Sequence, residues 1–350
     1  MPPYEYSPLP GISCVICSHN GSNRLPSTLA HLAAQDVPSW LRMEVLIVDN
    51  ASTDGTTEVA LDKWPHHSDG TLRVVPEPRL GLTFARTCGL LHARYGLVSF
   101  IDDDNWIAPN WCKTAWEVMG SHPHVGACGG LVEPVFESTQ PWWFNEFALY
   151  FATGQQASAP GPINSLASIL WGAGLTVRRS AWGQLHQYGF VPMVADRQGT
   201  TLTSGGDDEL CHALRLAGWQ LYYDPRLQMR HFLPGSRLNW GYLRRLRRGS
   251  GVASVSLDPY LSAFRERIGI VVPRYKETWQ WQVAVVVRSL INNWRETSRA
   301  IRRFAEGDGQ VLFQEFRFGR LLGLLRKRHL YPKSFDLVRR ALWLGTQARA

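Results

Sequence analysis

The sequence has little of what marks secreted, disulfide-stapled or membrane-spanning chains. Its six cysteines in 350 residues are scattered, and their spacing suggests no disulfide framework. The one close pair, Cys14 and Cys17, lies in the apolar run Ile12–Cys17, which reads as a strand. Three residues apart on a strand, the two side chains point to opposite faces. They fit buried structural thiols better than a zinc site, which would need a second pair. Apolar runs such as Ser165–Val177 and Val283–Ile291 fall short of the ~20 residues a membrane helix requires. The proline-rich start, Met1–Gly11, lacks a basic region followed by an apolar run, so no secretory signal is expected and the chain reads as cytoplasmic. Internal repeats and long low-complexity tracts are also missing, which argues against a repeat array.

Acidic residues are scarce in the last third alone. Residues 241–350 hold 22 Lys/Arg against 8 Asp/Glu, a balance of +14, whereas residues 1–240 hold 15 against 21, a balance of −6. The overall +8 and the isoelectric point near 9.3 therefore belong to the C-terminal part. A nucleic-acid-binding protein should carry its basic surface on the folded core, and here that part is net acidic. Apolar residues make up 45% of the chain, ample material for a large core.

The first hundred residues alternate two patterns. Ile12–Cys17, Glu44–Val48, Leu72–Val75 and Leu97–Ile101 are short runs rich in Val, Ile and Leu, and they predict strands. Between them Pro26–Ala34, Thr56–Trp64 and Leu82–Ala93 predict helices. That rhythm implies βαβ units and a mainly parallel sheet, with sites at the carboxyl ends of its strands. Those ends carry Ser18-His19-Asn20, Asp49-Asn50 and Asp102-Asp103-Asp104, which points to a single nucleotide-binding crevice. Residues 121–205, rich in Gly, Pro and Trp, read as irregular substrate loops.

Two acidic clusters could carry chemistry. Asp102, Asp103 and Asp104 follow a buried strand, and three consecutive carboxylates repel one another. A divalent cation resolves that repulsion, and oxygen ligands suit Mg²⁺ or Mn²⁺; an acidic surface turn is the plainer alternative. Ser204-Gly-Gly-Asp207-Asp208-Glu209 precedes the apparently helical Cys211–Leu216. Glycines allow close backbone approach, and carboxylates at a helix start sit near its positive end. Alone this reads as a helix cap; beside the triplet it becomes a candidate general base.

The ordered set Ile12–Asn20, Val45–Gly55, Gly81–Arg86, Asp102–Asp104 and Gly206-Asp207-Asp208 resembles family 2 glycosyltransferases of GT-A fold over residues 10–235. Trp171–Arg179 and the Gly-Gly-Asp-Asp-Glu segment are most similar to bacterial exopolysaccharide enzymes of the hormogonium-polysaccharide type. The resemblance implies an inverting, metal-dependent transfer of a sugar from a nucleotide-sugar to a hydroxyl. It places Ser18, Asn20, Asp49, Arg86 and Asp103 at the donor, with Asp49 accepting from a uracil or thymine imide, Arg86 directed at the diphosphate and Asp103 at the ribose. It makes Asp104 the principal ligand of Mn²⁺ or Mg²⁺, supported by Asp102 and His231. Asp208 becomes the general base, with Asp207 at the acceptor. Beside them Trp171 and Gly172 fit an acceptor platform, since sugars stack on aromatic faces, with core packing the alternative for the tryptophan. Ser18 stands where the family usually has Thr, and Asp207 where many relatives have Glu. The Gln-x-x-Arg-Trp motif of processive synthases is missing, which favours single additions.

The division expected is a catalytic part, residues 1–240, and a basic, mostly helical extension, residues 241–350. In the extension Phe318, Leu321, Leu322 and Leu325 recur at helical spacing among Arg317, Arg320, Lys327 and Arg328. Such a helix serves either as an anionic-membrane contact at the inner face of the cytoplasmic membrane or as a packed extension. The acceptor expected is a saccharide or lipid-linked saccharide. A sugar-nucleotide pyrophosphorylase is the competing enzyme, for which Ser18–Arg24 is a poor triphosphate loop. Intact carboxylates argue against an inactive scaffold.

Overall fold

The computed structural model describes residues 9–65, 71–165, 168–194, 202, 204–302 and 304–345. The start of the proline-rich segment, through residue 8, and residues 166–167, 195–201 and 203 of the stretch read as loops lie outside the described residues.

Nine strands among the described residues form one sheet: β1 (Leu9–Ser18), β2 (Met43–Asp49), β3 (Leu72–Pro76), β4 (Tyr95–Phe100), β5 (Asn105–Ile107), β6 (Val125–Phe136), β7 (Gly161–Pro162), β8 (Thr176–Arg178) and β9 (Gln220–Leu233). Their order is β3-β2-β1-β4-β8-β6-β9-β5, with β7 also on β9. Strands β1 to β4 are parallel, as are β6 and β9; β8 runs antiparallel between β4 and β6. The helices of the catalytic part are α1 (Leu25–Ala33), α2 (Thr56–Lys63), α3 (Leu82–His92), α4 (Trp111–Ser121), α5 (Phe144–Phe147), α6 (Arg179–Gln187) and α7 (Gly206–Leu216). Then follow α8 (Trp240–Arg267), α9 (Trp279–Asn292), α10 (Trp294–Arg302), α11 (Gly309–Lys327) and α12 (Tyr331–Arg339).

A parallel strand covered on both faces must be apolar at every position, hence the unbroken Val/Ile/Leu runs. Val15, Leu46 and Val48 pack toward α3, α6 and α7 on one face. Ile12, Cys14, Val45 and Ile47 pack toward α1 and α4 on the other. Cys14 and Cys17 fall on opposite sides as their spacing predicts, and Cys14 Sγ lies 3.6 Å from Cys112 Sγ.

The segment read as loops contains β6, twelve residues long, and helix α6. Gly126, Gly129, Gly130 and Pro134 hide the strand from a propensity reading, since glycine and proline weaken strand signals. At Gly130 a Cβ would stand 1.8 Å from the Leu227 carbonyl oxygen, so close pairing with β9 excludes any side chain there.

The C-terminal part is welded to the catalytic sheet. Tyr260, Phe264, Val338 and Trp343 share a core with Ala181, Leu185 and Leu214, while Trp240, Leu243 and Leu312 pack with Trp143, Phe144 and Phe147. Asn239 caps α8 by accepting from the Tyr242 amide at 2.8 Å, and Asp308 caps α11 by accepting from Gln310 at 2.9 Å. The buried face of α11 includes Leu312, Glu315, Gly319 and Gly323, which differs from the expected stripe. Phe318 and Leu321 are half-buried, and Leu322 and Leu325 are exposed. Among the described residues no helix is long and apolar enough to cross a membrane.

Candidate active site

β1, β2 and β4 end side by side, and a cleft of about 650 Å³ opens at those ends. Ser18 and the three aspartates line it from the sheet, Arg86 from α3, Asp207 and Asp208 from α7, and His231 from β9. Trp171 and Gly172 line it as well. Elements far apart in sequence thus bring ten of the twelve expected site residues to one place. Asn20 and Asp49 are not among the lining residues. They organise the loop after β2 instead: Asn20 Oδ1 accepts from the Thr53 amide at 2.8 Å, and Asp49 accepts from the Ser52 amide and, at 2.6 Å, from Thr57 Oγ1.

The aspartate triplet separates into three environments. Asp102 is half-buried. Asp103 is held by Arg24 through two hydrogen bonds of 2.8 and 2.9 Å and accepts from Ser18 Oγ at 2.6 Å. Burial pushes its carboxyl upward against the opposing pull of Arg24, whose own pKa the pairing raises. Asp104 is 4% exposed; its Oδ2 lies 3.0 Å from Arg237 Nη1 and its Oδ1 3.7 Å from His231 Nε2. The repulsion assigned from sequence to a divalent cation is therefore offset here by two arginines from distant segments. Among the described residues no three His, Cys, Asp or Glu side chains converge closely enough to hold a metal. The donor set still suits a hard cation, with carboxylates from Asp102 and Asp104 and an imidazole in one cleft. Arg237, 3.5 Å from His231 Nε2, already marks the spot beside Asp104 as a seat for positive charge.

Across the cleft, Asp207 Oδ2 accepts from the Gly172 amide at 2.6 Å, joining the start of α7 to the Trp171 turn. Gly172 lets the Arg86 guanidinium lie close against the turn: a Cβ there would stand 2.1 Å from Arg86 Nη2 and push that guanidinium aside. The Arg86 guanidinium carbon sits 5.7 Å from the Phe100 ring centroid. Two of the three expected acceptor residues, Asp207 and Gly172, and the expected diphosphate arginine are thus in contact.

Three residues carry no assignment from sequence. Asn50 donates to the carbonyls of Glu77 and Arg79 and accepts from the Gly81 amide at 2.8 Å, tying the end of β2 to the approach of α3. Glu209, fully buried, accepts from the amides of Met193 and Val194 at 2.8 and 2.9 Å and from Tyr260 Oη at 2.7 Å. Burial pushes its carboxyl up while these donors hold it down. It fixes the start of α7 to α8, and only its place beside Asp208 hints at it. Arg237 has no sequence signal at all.

Residues 13–182 match the family described as Glycosyl transferase family 2. The chain carries a family 2 glycosyltransferase domain. This family 2 domain is 26% identical to the putative glycosyltransferase EpsH of Bacillus subtilis over 130 residues, 37% of this chain and 36% of that protein. It is 23% identical to the succinoglycan biosynthesis protein ExoM of Rhizobium meliloti over 229 residues, 65% of this chain and 69% of that protein. The match thus spans only about a third of EpsH's length. Among solved structures, the mannosyltransferase PcManGT from Pyrobaculum calidifontis, in complex with GDP-Man and Mn²⁺, superposes with a TM-score of 0.55 at 16% identity. That comparison covers 93% of this chain and 90% of that one. S. aureus TarS 1–349 in complex with UDP gives 0.50 at 16% identity, over 94% and 91%. The fold is GT-A, as the motif order implies. The family 2 match ends before Asp207, Asp208, His231 and Arg237, so their assignment rests on the cleft's geometry.

Proposed function

We propose that the protein is an inverting glycosyltransferase that moves a sugar from a uridine- or thymidine-diphosphate donor to an acceptor hydroxyl. One observation carries this reading: the strand-end carboxylates with Arg86 and the Asp207–Asp208 pair on α7 face a single cleft in a family 2 domain. The donor occupies the strand ends, with its base near the Asp49 loop and its diphosphate toward Arg86 and Arg237. Asp208 takes the acceptor's proton as the oxygen bonds to the anomeric carbon from the face opposite the diphosphate. The bond from that carbon to the diphosphate oxygen breaks, and the nucleotide leaves with the electron pair. Arg86 and Arg237 offset the negative charge that grows on it. Asp104, with Asp102 and His231, would hold Mn²⁺ or Mg²⁺, whose chemistry is further neutralisation of that charge. The Mn²⁺ bound with GDP-Man in the PcManGT mannosyltransferase supports this choice. Trp171 and Gly172 shape the acceptor side.

We further read residues 1–240 as the catalytic unit and residues 241–350 as an extension that completes its cleft. The extension also seats the protein on an anionic membrane at the inner face of the cytoplasmic membrane, where a lipid-linked saccharide would be met. Helix α9 buries only Val286, and Trp281, Val285, Ile291 and Trp294 stand 40–64% exposed beside Arg288 and Arg295. Apolar side chains ringed by arginine suit the boundary between lipid headgroups and acyl chains.

The direct test is a panel of nucleotide-sugars with Mn²⁺ or Mg²⁺, scored by nucleotide release and by protection against thermal unfolding. A UDP- or dTDP-linked donor should protect and be slowly consumed. Failure of every nucleotide-sugar to bind would overturn the reading.

A further inference from the structure

The cleft continues past Asp208 into a wall built by the extension, and among the described residues that wall holds an arginine without a counter-charge. Arg247 on α8 lines the cleft with Tyr242, Ser250 and Ser254. Its guanidinium carbon lies 4.1 Å from the Tyr150 ring centroid and 5.0 Å from that of Phe316. Its neighbours Arg244 and Arg248 share a carboxylate, each pairing with Glu315 at 2.6 Å. No carboxylate among the described residues pairs with Arg247, and its Nε is buried without a hydrogen-bond partner. Burial presses its pKa down, the mark of a cation held away from water. Aromatic faces compensate such a cation in part, but its N–H groups still need acceptors.

We infer that Arg247 is the receptor for an anionic group, a carboxylate or a phosphate, on the acceptor. This rests on the transferase reading and names the class of acceptor. Position separates it from the donor, whose diphosphate is met by Arg86 and Arg237 at the strand ends. Spacing sets the geometry. A Cβ at Gly205 would lie 3.3 Å from Ala253 Cβ and 3.8 Å from Asp208 Oδ2, so the proposed base sits beside Ala253 of α8. Arg247 is six residues earlier on that helix, roughly 9 Å along its axis. An acceptor with its reactive hydroxyl at Asp208 therefore presents its negative charge one to two sugar rings away. A guanidinium fork suits both carboxylate and phosphate.

The test titrates the full chain with glucuronate, glucose 1-phosphate and glucose, by ligand-observed NMR, with and without saturating UDP and Mn²⁺. The wild type should bind at least one anionic sugar about tenfold or more tighter than glucose, and which one does so separates carboxylate from phosphate. Arg247→Gln should lose that preference, Arg247→Lys should keep part of it, and UDP affinity should stay within about twofold throughout. Because the charge is unpaired, Arg247→Gln should unfold at the same temperature or higher, as expected when a buried ion is replaced by a neutral group. A wild type without anionic preference overturns the inference, and so does a preference unchanged in Arg247→Gln. Should Arg247→Gln fail to fold, Arg247→Lys decides in its place: a preference as strong as the wild type's overturns the fork. Failure of UDP to bind would count against the donor reading alone, since the anion preference is also read without it.

Discussion

Asp208 and His212 lie one turn apart on α7, and each makes a separable prediction. A base acts on the acceptor, so Asp208→Asn should cut turnover ~10²-fold or more while leaving nucleotide-sugar affinity nearly unchanged. Asp104→Asn should do the opposite, weakening metal-dependent donor binding, because Asp104 sits with Arg237 and His231 at the charged end of the cleft. Calorimetry with donor, followed by turnover with any competent acceptor, separates the two. Near-normal turnover in Asp208→Asn would move the base elsewhere, with Asp207 first in line. His212 is 4% exposed, and burial, reinforced by Arg215, lowers its pKa from 6.5 to about 4. The folded state resists protonating it while the unfolded chain does not. Its stabilising contribution is therefore whole above pH 6.5 and is lost as pH falls through about 4, an effect of roughly 3 kcal/mol. Urea unfolding at pH 7, 5.5 and 4 should show the fall, and His212→Leu should flatten it; an unchanged pH slope in that variant would refute the assignment.

At the scale of elements, the crossing of α8 and α11 is the sharpest test of how the extension is held. A Cβ at Gly319 would stand 1.9 Å from the Arg248 carbonyl oxygen, and one at Gly251 would stand 2.1 Å from that of Phe316. Backbone meets backbone at both points, so Gly319→Ala should force the helices apart and cost about 1–3 kcal/mol, read from the urea midpoint. A shift under a few tenths of a kcal/mol would mean that the helix pair yields freely to an added methyl group. This contact also explains what the sequence could and could not show. The strands β1 to β4 and helices α1 to α3 were legible within a few residues, because short unbroken Val/Ile/Leu-rich runs alternate with segments of helix length. Besides apolar residues such as Leu312 and Leu324, the α8–α11 contact uses glycines and the Arg244–Glu315–Arg248 cluster, so the buried face of α11 does not follow the apolar stripe of Phe318 and Leu325. The strand-end aspartates were legible as a cluster, but their arginine partners were not. Arg24 and Arg237 reach Asp103 and Asp104 from 79 and 133 residues away.

For the whole molecule, the charge split takes on a definite shape once packing is known. Part of the C-terminal arginine is structural: Arg244, Arg248 and Arg320 pair with Glu315 and Asp258 inside the extension, acids already counted in the +14. The net excess of +14 is still to be placed, and in it Arg288 and Arg295 flank the exposed Trp281, Val285, Ile291 and Trp294. A protein binding nucleic acid would use such arginines without needing the apolar side chains, whereas an anionic bilayer rewards both, at ~1 kcal/mol per basic residue near the surface. The full chain should therefore sediment with vesicles of mixed neutral and anionic phospholipid at low salt, and less with purely neutral vesicles. Truncation near residue 240 is unsuited to this question, because it strips Tyr260, Phe264 and Trp343 from the catalytic core. Point changes on the outer face avoid that damage. Trp281→Glu with Trp294→Glu adds two negative charges and removes two rings where the chain is already solvated, so folding and UDP binding should persist while sedimentation falls several-fold. Sedimentation that survives the double change would shift membrane contact away from α9 and α10, with exposed Leu322 and Leu325 of α11 the next face to alter.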